Sequence, residues 1–171
     1  MFLDKMSNKI SLKNKCFVFD IDGTLIDMHE IWESTYRVLY HEKCGLDLSK
    51  EEMDSLFGPP EFEGHAGILR GRGLYTFEKA QQLVAGTEET MSQTLKQQDL
   101  KKHILAGVED FLKYLAGNRA TVGCYTGNLE SIGNSMLNNS QLRSYFEFVV
   151  CAGPTTQTRD EILQTALREL R

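Results

Sequence analysis

The chain has 171 residues, 41% of them hydrophobic and 25% charged, with 14 Gly, 3 Pro and a formal net charge of −5. This is the profile of an ordinary soluble globular protein, and it excludes collagen-like, low-complexity and disordered classes. With 24 Asp+Glu against 19 Lys+Arg there is no basic field to attract nucleic acid or an anionic membrane, so neither is an expected partner.

Residues 1–15 read as a polar lead-in. They hold no apolar stretch of signal-peptide length, and nowhere do eighteen apolar residues run together, which makes the cytoplasm the expected compartment. Cys16, Cys44, Cys124 and Cys151 match no zinc or redox spacing; three stand in apolar, β-rich runs and are expected as small, reduced core residues. The isolated histidines (His29, His41, His65 and His103) are expected at the surface or at helix ends rather than on a metal.

In chain order, residues 16–21 form a short apolar run ending in acids and Gly23, the pattern of a buried parallel strand with functional groups at its carboxyl end. Met28, Ile31, Trp32 and Leu39 fall at helical spacing before Gly45, predicting a helix over 28–44. Residues 57–60, Phe-Gly-Pro-Pro, break the chain, and Gly64, Gly67, Gly71 and Gly73 leave the next stretch a weak helix at best. A long amphipathic segment follows over 76–100, with Gly86 at its centre. Beyond Gly107 the elements alternate: helix, strand over 120–125, helix over 129–137, strand over 148–151, helix over 159–170. That alternation predicts an α/β fold with a parallel sheet and right-handed crossovers. Residues 16–27 and 104–171 then form the core, and 28–103 a helical insertion.

Asp20 and Asp22 stand two apart at the first strand's end, on one side of the backbone and about 6.6 Å apart along it, so both can face one substrate. Gly23 allows a sharp turn that aims backbone N–H groups at an anion. A carboxylate attacking a phosphate sets like charge against like, and calls for Mg²⁺. A calcium loop is disfavoured, because Gly23 is fourth from Asp20 rather than sixth. Thr126, Gly127 and Asn128 end the second core strand; a hydroxyl and free N–H groups there would bind an anion, although the same residues also read as a plain turn with Asn128 as N-cap. Thr158 and Glu161 have capping-box spacing, which puts Arg159 in a first helical turn, against the macrodipole. Such a broken local rule points either to a site or to an exposed Arg that tolerates a small cost.

These three stretches together resemble the haloacid dehalogenase superfamily, and within it small-molecule phosphatases similar to phosphoglycolate phosphatase. Residues 17–24 match its first motif, Thr126 its second, and Arg159 its third, usually Lys; Gln157 is the other position for that role. The resemblance implies a three-layer Rossmannoid core, with residues 28–103 as an α-helical cap. It also implies a phosphatase acting on a small phosphorylated metabolite through an aspartyl-phosphate. Asp20 would be the nucleophile and Asp22 the general acid and base. Thr126, Gly127, Asn128 and Arg159 would bind phosphate, and Asp20 and Asp22 would hold Mg²⁺. The family's fourth motif, an acidic pair on a further strand, would lie beyond Arg171. The resemblance therefore also admits an impaired or completed fragment, or a phosphate- or protein-binding module, and leaves monomer and homodimer both open. A sheet edge at Phe17, Val18 and Phe19 is a further expectation, and the insertion of nearly eighty residues weighs against a compact receiver domain.

Overall fold

A computed structural model describes residues 11–156 and 158–170; part of the lead-in and Gln157 lie outside the described residues. Three strands, β1 (Cys16–Phe19), β2 (Thr121–Leu129) and β3 (Phe148–Ala152), form one parallel sheet in the order β1-β2-β3. Between β1 and β2 run α1 (His29–Cys44), α2 (Lys50–Leu56), α3 (Glu61–Gly71) and α4 (Phe77–Leu95), a 3₁₀ turn at Leu100–His103, and α5 (Val108–Gly117). Helix α6 (Glu130–Asn139) joins β2 to β3, and α7 (Arg159–Arg168) follows β3. The α/β class and the parallel sheet are as the alternation predicts. None of the helices is long and apolar enough to cross a membrane among the described residues.

The chain enters and leaves α1–α4 through two strands of backbone lying side by side. The Asp27 N–H donates to the His103 carbonyl at 2.8 Å and the Leu105 N–H to the Leu25 carbonyl at 3.0 Å. Helix α1 ends at Gly45, whose φ of +64° is a left-handed cap that glycine adopts without strain. Helix α4 is capped by Thr76 and crosses α1 closely at Gly86, where a Cβ would stand 2.5 Å from Leu39 Cδ1. The glycine that weakened the helical reading is therefore a packing requirement.

Two expectations are corrected. The glycine-rich stretch after residue 60 is a full helix, because Phe62, His65, Ala66 and Leu69 repeat at helical spacing and bury one face. Helix α2, for which the sequence reading named no element, is held by a capping box between Ser49 and Glu52. Of the cysteines only Cys124 is buried; Cys44 and Cys151 are half-buried, Cys16 is exposed, and all four are free.

At the sheet edge β1 has β2 as its neighbour among the described residues, and Phe17, Val18 and Phe19 are half-buried there. Phe17 and Phe19 meet Phe111 of α5 edge to face, with ring centroids 6.3 and 6.1 Å apart. In β2, Gly123 lies opposite Phe148, whose ring covers the space a Cβ would occupy. Gly123→Ala is expected to displace that ring and to lower stability by about 1–3 kcal/mol, the usual effect of overpacking, seen as a lower urea midpoint at unchanged slope.

Candidate active site

The ends of β1, β2 and α7's N-terminus meet beneath the loop at residues 57–60. A cavity of about 430 Å³ is lined by Asp20, Asp22, Asp27, His29, Trp32 and Arg159, among others. A smaller one of about 40 Å³ adjoins it and is lined by Asp22, Glu61, Thr126, Gly127, Asn128 and Arg159, together with the loop above. All six residues singled out in the sequence are thus brought to one place, Asp22 and Arg159 bordering both spaces.

Asp20 follows the last residue of β1. Its Oδ1 accepts the Ile21 N–H at 2.8 Å, and its Oδ2 accepts Arg159 Nη1–H at 2.8 Å. Arg159 starts α7, with Thr158 accepting the Glu161 N–H as cap, and its Nε–H donates to the Gly58 carbonyl. A single guanidinium therefore binds the strand-end carboxylate and the overlying loop through different nitrogens. Lysine, a point donor, lacks that fork.

Asp22 directly precedes Gly23, whose φ of +68° turns the chain. Trp32 Nε1–H donates to its Oδ1 at 2.8 Å and Asn128 Nδ2–H to its Oδ2 at 2.6 Å. Burial of the carboxyl pushes its pKa up to about 6; the two N–H donors pull it down, and the negative charges of Asp20 and Glu61 push it further up. Asn128 is not an N-cap. Strand β2 continues through an irregular register between Thr126 and Leu129, Leu129 is the capping residue of α6, and the Asn128 side chain turns to Asp22 instead. The Asn128 N–H donates to Thr126 Oγ1 at 3.2 Å, and Thr126 is buried.

Sequence reasoning missed a second layer. Trp32 stacks on Tyr36 one helical turn later, and Tyr36 Oη–H donates to Glu61 Oε1 at 2.8 Å. Glu61 Oε2 is 3.4 Å from His65 Nε2; His65 Nδ1 pairs with Tyr40 Oη, and Nε2 with Thr87 Oγ1, both at 2.9 Å. His65 is wholly buried, contrary to the expected surface position. The helical spacing Trp32-Tyr36-Tyr40 and Glu61-His65 was the available signal, but it reads equally as apolar core. His29 stacks on Phe57 at 4.4 Å, fixing one side of the overlying loop.

For a divalent ion the oxygen donors are the Asp20 carboxylate and the Asp22 carbonyl, on which no backbone hydrogen bond ends among the described residues. No group of three or more His, Cys, Asp and Glu placed to share an ion occurs among the described residues. Two protein oxygens fit Mg²⁺, which usually keeps several waters and binds through one or two carboxylates plus substrate phosphate.

The sequence profile of haloacid dehalogenase-like hydrolases matches residues 17–171, and the chain belongs to that family. No curated protein matches it in sequence. Among solved structures it is similar to β-phosphoglucomutase from Clostridium difficile, with a TM-score of 0.78 at 22% identity, covering 92% of this chain and 71% of that one. It is also similar to CbbY from Rhodobacter sphaeroides, solved with xylulose-(1,5)bisphosphate (0.76, 15%, covering 91% and 72%). A predicted phosphatase from Clostridium acetobutylicum is a third (0.72, 17%, covering 91% and 70%). At these identities the likeness is one of fold.

The raised pKa of Asp22 has a signed consequence for stability. Below its ordinary pKa of 3.8 both folded and unfolded chains hold the proton. As pH rises toward about 6 the unfolded chain loses it first, and folding loses stability over that window. Melting temperatures of Asp22→Asn, taken relative to the unsubstituted chain, are therefore expected to rise between pH 4 and pH 6.5 and to level off above. A pH-independent difference would contradict the shift.

Proposed function

We propose that this chain is a Mg²⁺-dependent phosphomonoester hydrolase acting on a small phosphorylated metabolite, with residues 28–103 as a cap on a core made of 16–27 and 104–171. The observation that carries the reading is a pair of carboxyls in unlike environments. Asp20 is ion-paired with Arg159 at 2.8 Å, whereas burial pushes the Asp22 pKa up to about 6. Two carboxyls so separated divide into nucleophile and acid-base.

In the first step Asp20 attacks phosphorus, the bond to the leaving oxygen breaks, and Asp22 gives that oxygen its proton. In the second, Asp22 takes a proton from water as the water attacks the aspartyl-phosphate, releasing phosphate and restoring Asp20. A pKa of about 6 suits both halves of this cycle. Arg159 offsets charge on Asp20 and on the transferring phosphoryl group, and the Thr126 hydroxyl and the Gly127 N–H receive its oxygens. Asn128 and Trp32 orient Asp22. Bound Mg²⁺, held by the Asp20 carboxylate and the Asp22 carbonyl, supplies neutralisation where anionic nucleophile and phosphate meet. The loop at residues 57–60, pinned by Arg159 and His29, excludes water from the reacting groups.

Hydrolysis of p-nitrophenyl phosphate tests the reading. Turnover is expected with Mg²⁺ and is expected to disappear on chelation. Asp20→Asn is expected to lower it by about 10³-fold or more, as loss of a nucleophile does. Turnover that survives Asp20→Asn would refute the assignment. Arg159→Ala is expected to cost about 10²–10³-fold in kcat, and Arg159→Lys distinctly less, since it keeps the cation beside Asp20 and forfeits the Gly58 contact.

A further inference from the structure

Glu61 is a buried carboxylate that the proposed reaction does not use, and it stands in the first turn of α3, where the helix dipole favours its charge. Its Oε1 accepts Tyr36 Oη–H at 2.8 Å. Its Oε2 accepts no hydrogen bond among the described residues, because His65 Nε2, 3.4 Å away, pairs with Thr87 Oγ1 at 2.9 Å. No lysine or arginine pairs with either oxygen among the described residues.

Glu61 lines the small space of about 40 Å³ together with Thr126, Gly127 and Asn128, where the proposed reaction seats the phosphoryl oxygens. Gly127 lies under the segment that leads into α3: a Cβ on it would stand 3.5 Å from the Pro59 carbonyl oxygen and 3.6 Å from Cα of Pro60, the residue before Glu61. The space has room for about three water-sized atoms, which suits phosphoryl oxygens, and the leaving group has the adjoining cavity of about 430 Å³. A carboxylate beside a fully ionised phosphate sets like charge against like. An ionised carboxylate only accepts, so the contact turns favourable when the phosphoryl oxygen facing it carries a proton, which it receives in a charge-assisted bond.

Resting on the phosphomonoesterase reading, we propose that Glu61 accepts the proton of a singly protonated phosphoryl group, so that the site takes the phosphate ester as its monoanion and rejects oxyanions that carry no proton. A phosphate ester loses its second proton at about pH 6, so the monoanion is present near neutrality for such an acceptor to select. The other phosphoryl oxygens meet donors: Thr126 Oγ1 accepts the Asn128 N–H, which leaves its own hydrogen to donate, and the Gly127 N–H and Arg159 line the same space. Glu61 is thus a specificity-determining residue, held by Tyr36 at Oε1 with Oε2 left for the substrate.

Inorganic phosphate and sulfate test this, because HPO₄²⁻ and SO₄²⁻ match in shape and charge and differ in the proton. By calorimetry on the full chain with Mg²⁺ near neutral pH, phosphate is expected to bind about tenfold or more tightly than sulfate. Glu61→Gln, whose carboxamide offers an N–H to either ion, is expected to narrow that preference to within about threefold, chiefly by tightening sulfate. Equal affinities in the unsubstituted chain, tighter binding of sulfate, no binding of either ion, or a preference unchanged by Glu61→Gln would overturn the proposal. The comparison in the unsubstituted chain needs no variant, so it decides even where Glu61→Gln does not fold. Turnover of p-nitrophenyl phosphate separates the two readings. Turnover with phosphate and sulfate bound alike removes the role of Glu61 alone, whereas a phosphate preference that Glu61→Gln abolishes, without turnover, removes the reaction alone.

Discussion

The carboxyl of Asp22 is the joint on which the site is assembled. Its two N–H donors come from Trp32, ten positions on, and from Asn128, 106 positions on. Leaving a desolvated carboxyl without one of them costs about 1–3 kcal/mol or more. Helix α1 and the end of β2 are thereby both referred to a single group at the mouth of β1. The irregular register between Thr126 and Leu129 belongs to the same arrangement, because a strand irregularity re-aims side chains, and here the Asn128 amide points to Asp22 instead of capping α6.

Two first-turn charges follow opposite local logic. Glu61 agrees with the dipole of α3, which helps to keep a carboxylate inside the protein. Arg159 opposes the dipole of α7, and its position is held instead by Asp20 and by the Gly58 carbonyl. The local penalty is only a few tenths of a kcal/mol, whereas a charge-assisted bond to a partly buried carboxylate contributes roughly 1.5–3 kcal/mol, reduced here because the Arg159 side chain is 40% exposed. The same guanidinium couples the loop at residues 57–60 to Asp20, which a single ammonium would do less well.

The sheet and its strand-end residues were legible because they depend on short-range pattern. An apolar run ending in Asp20 and Asp22, a second ending in Thr126, and a capping box before Arg159 each announce themselves within about ten residues. What escaped depends on contacts between distant segments. Gly86 reads as a helix weakness until Leu39 of α1 is seen against it. His65 reads as a surface residue because its partners Tyr40 and Thr87 are 25 and 22 positions away. Asn128 reads as a cap because capping is the local use of that residue type, and its distant partner Asp22 prevailed. The helix of residues 61–71 was masked by glycine counting, although its buried face alone carries the helical period.

Helix α1 sets the spacing between the two carboxyls that face the small cavity. Trp32 holds Asp22, and Tyr36, one turn later and stacked on it at 5.4 Å, holds Glu61. An α-helical turn rises about 5.4 Å and deforms little, so the two hydroxyl and indole donors move together or not at all. Beyond Tyr36, Tyr40 and Thr87 bind His65 from α1 and α4, which ties α3 to both neighbours through fully partnered polar groups. A satisfied buried network of this kind fixes one packing arrangement among many of similar hydrophobic content. The distance from Asp22 to Glu61 is therefore a property of a rigid helix rather than of a loop.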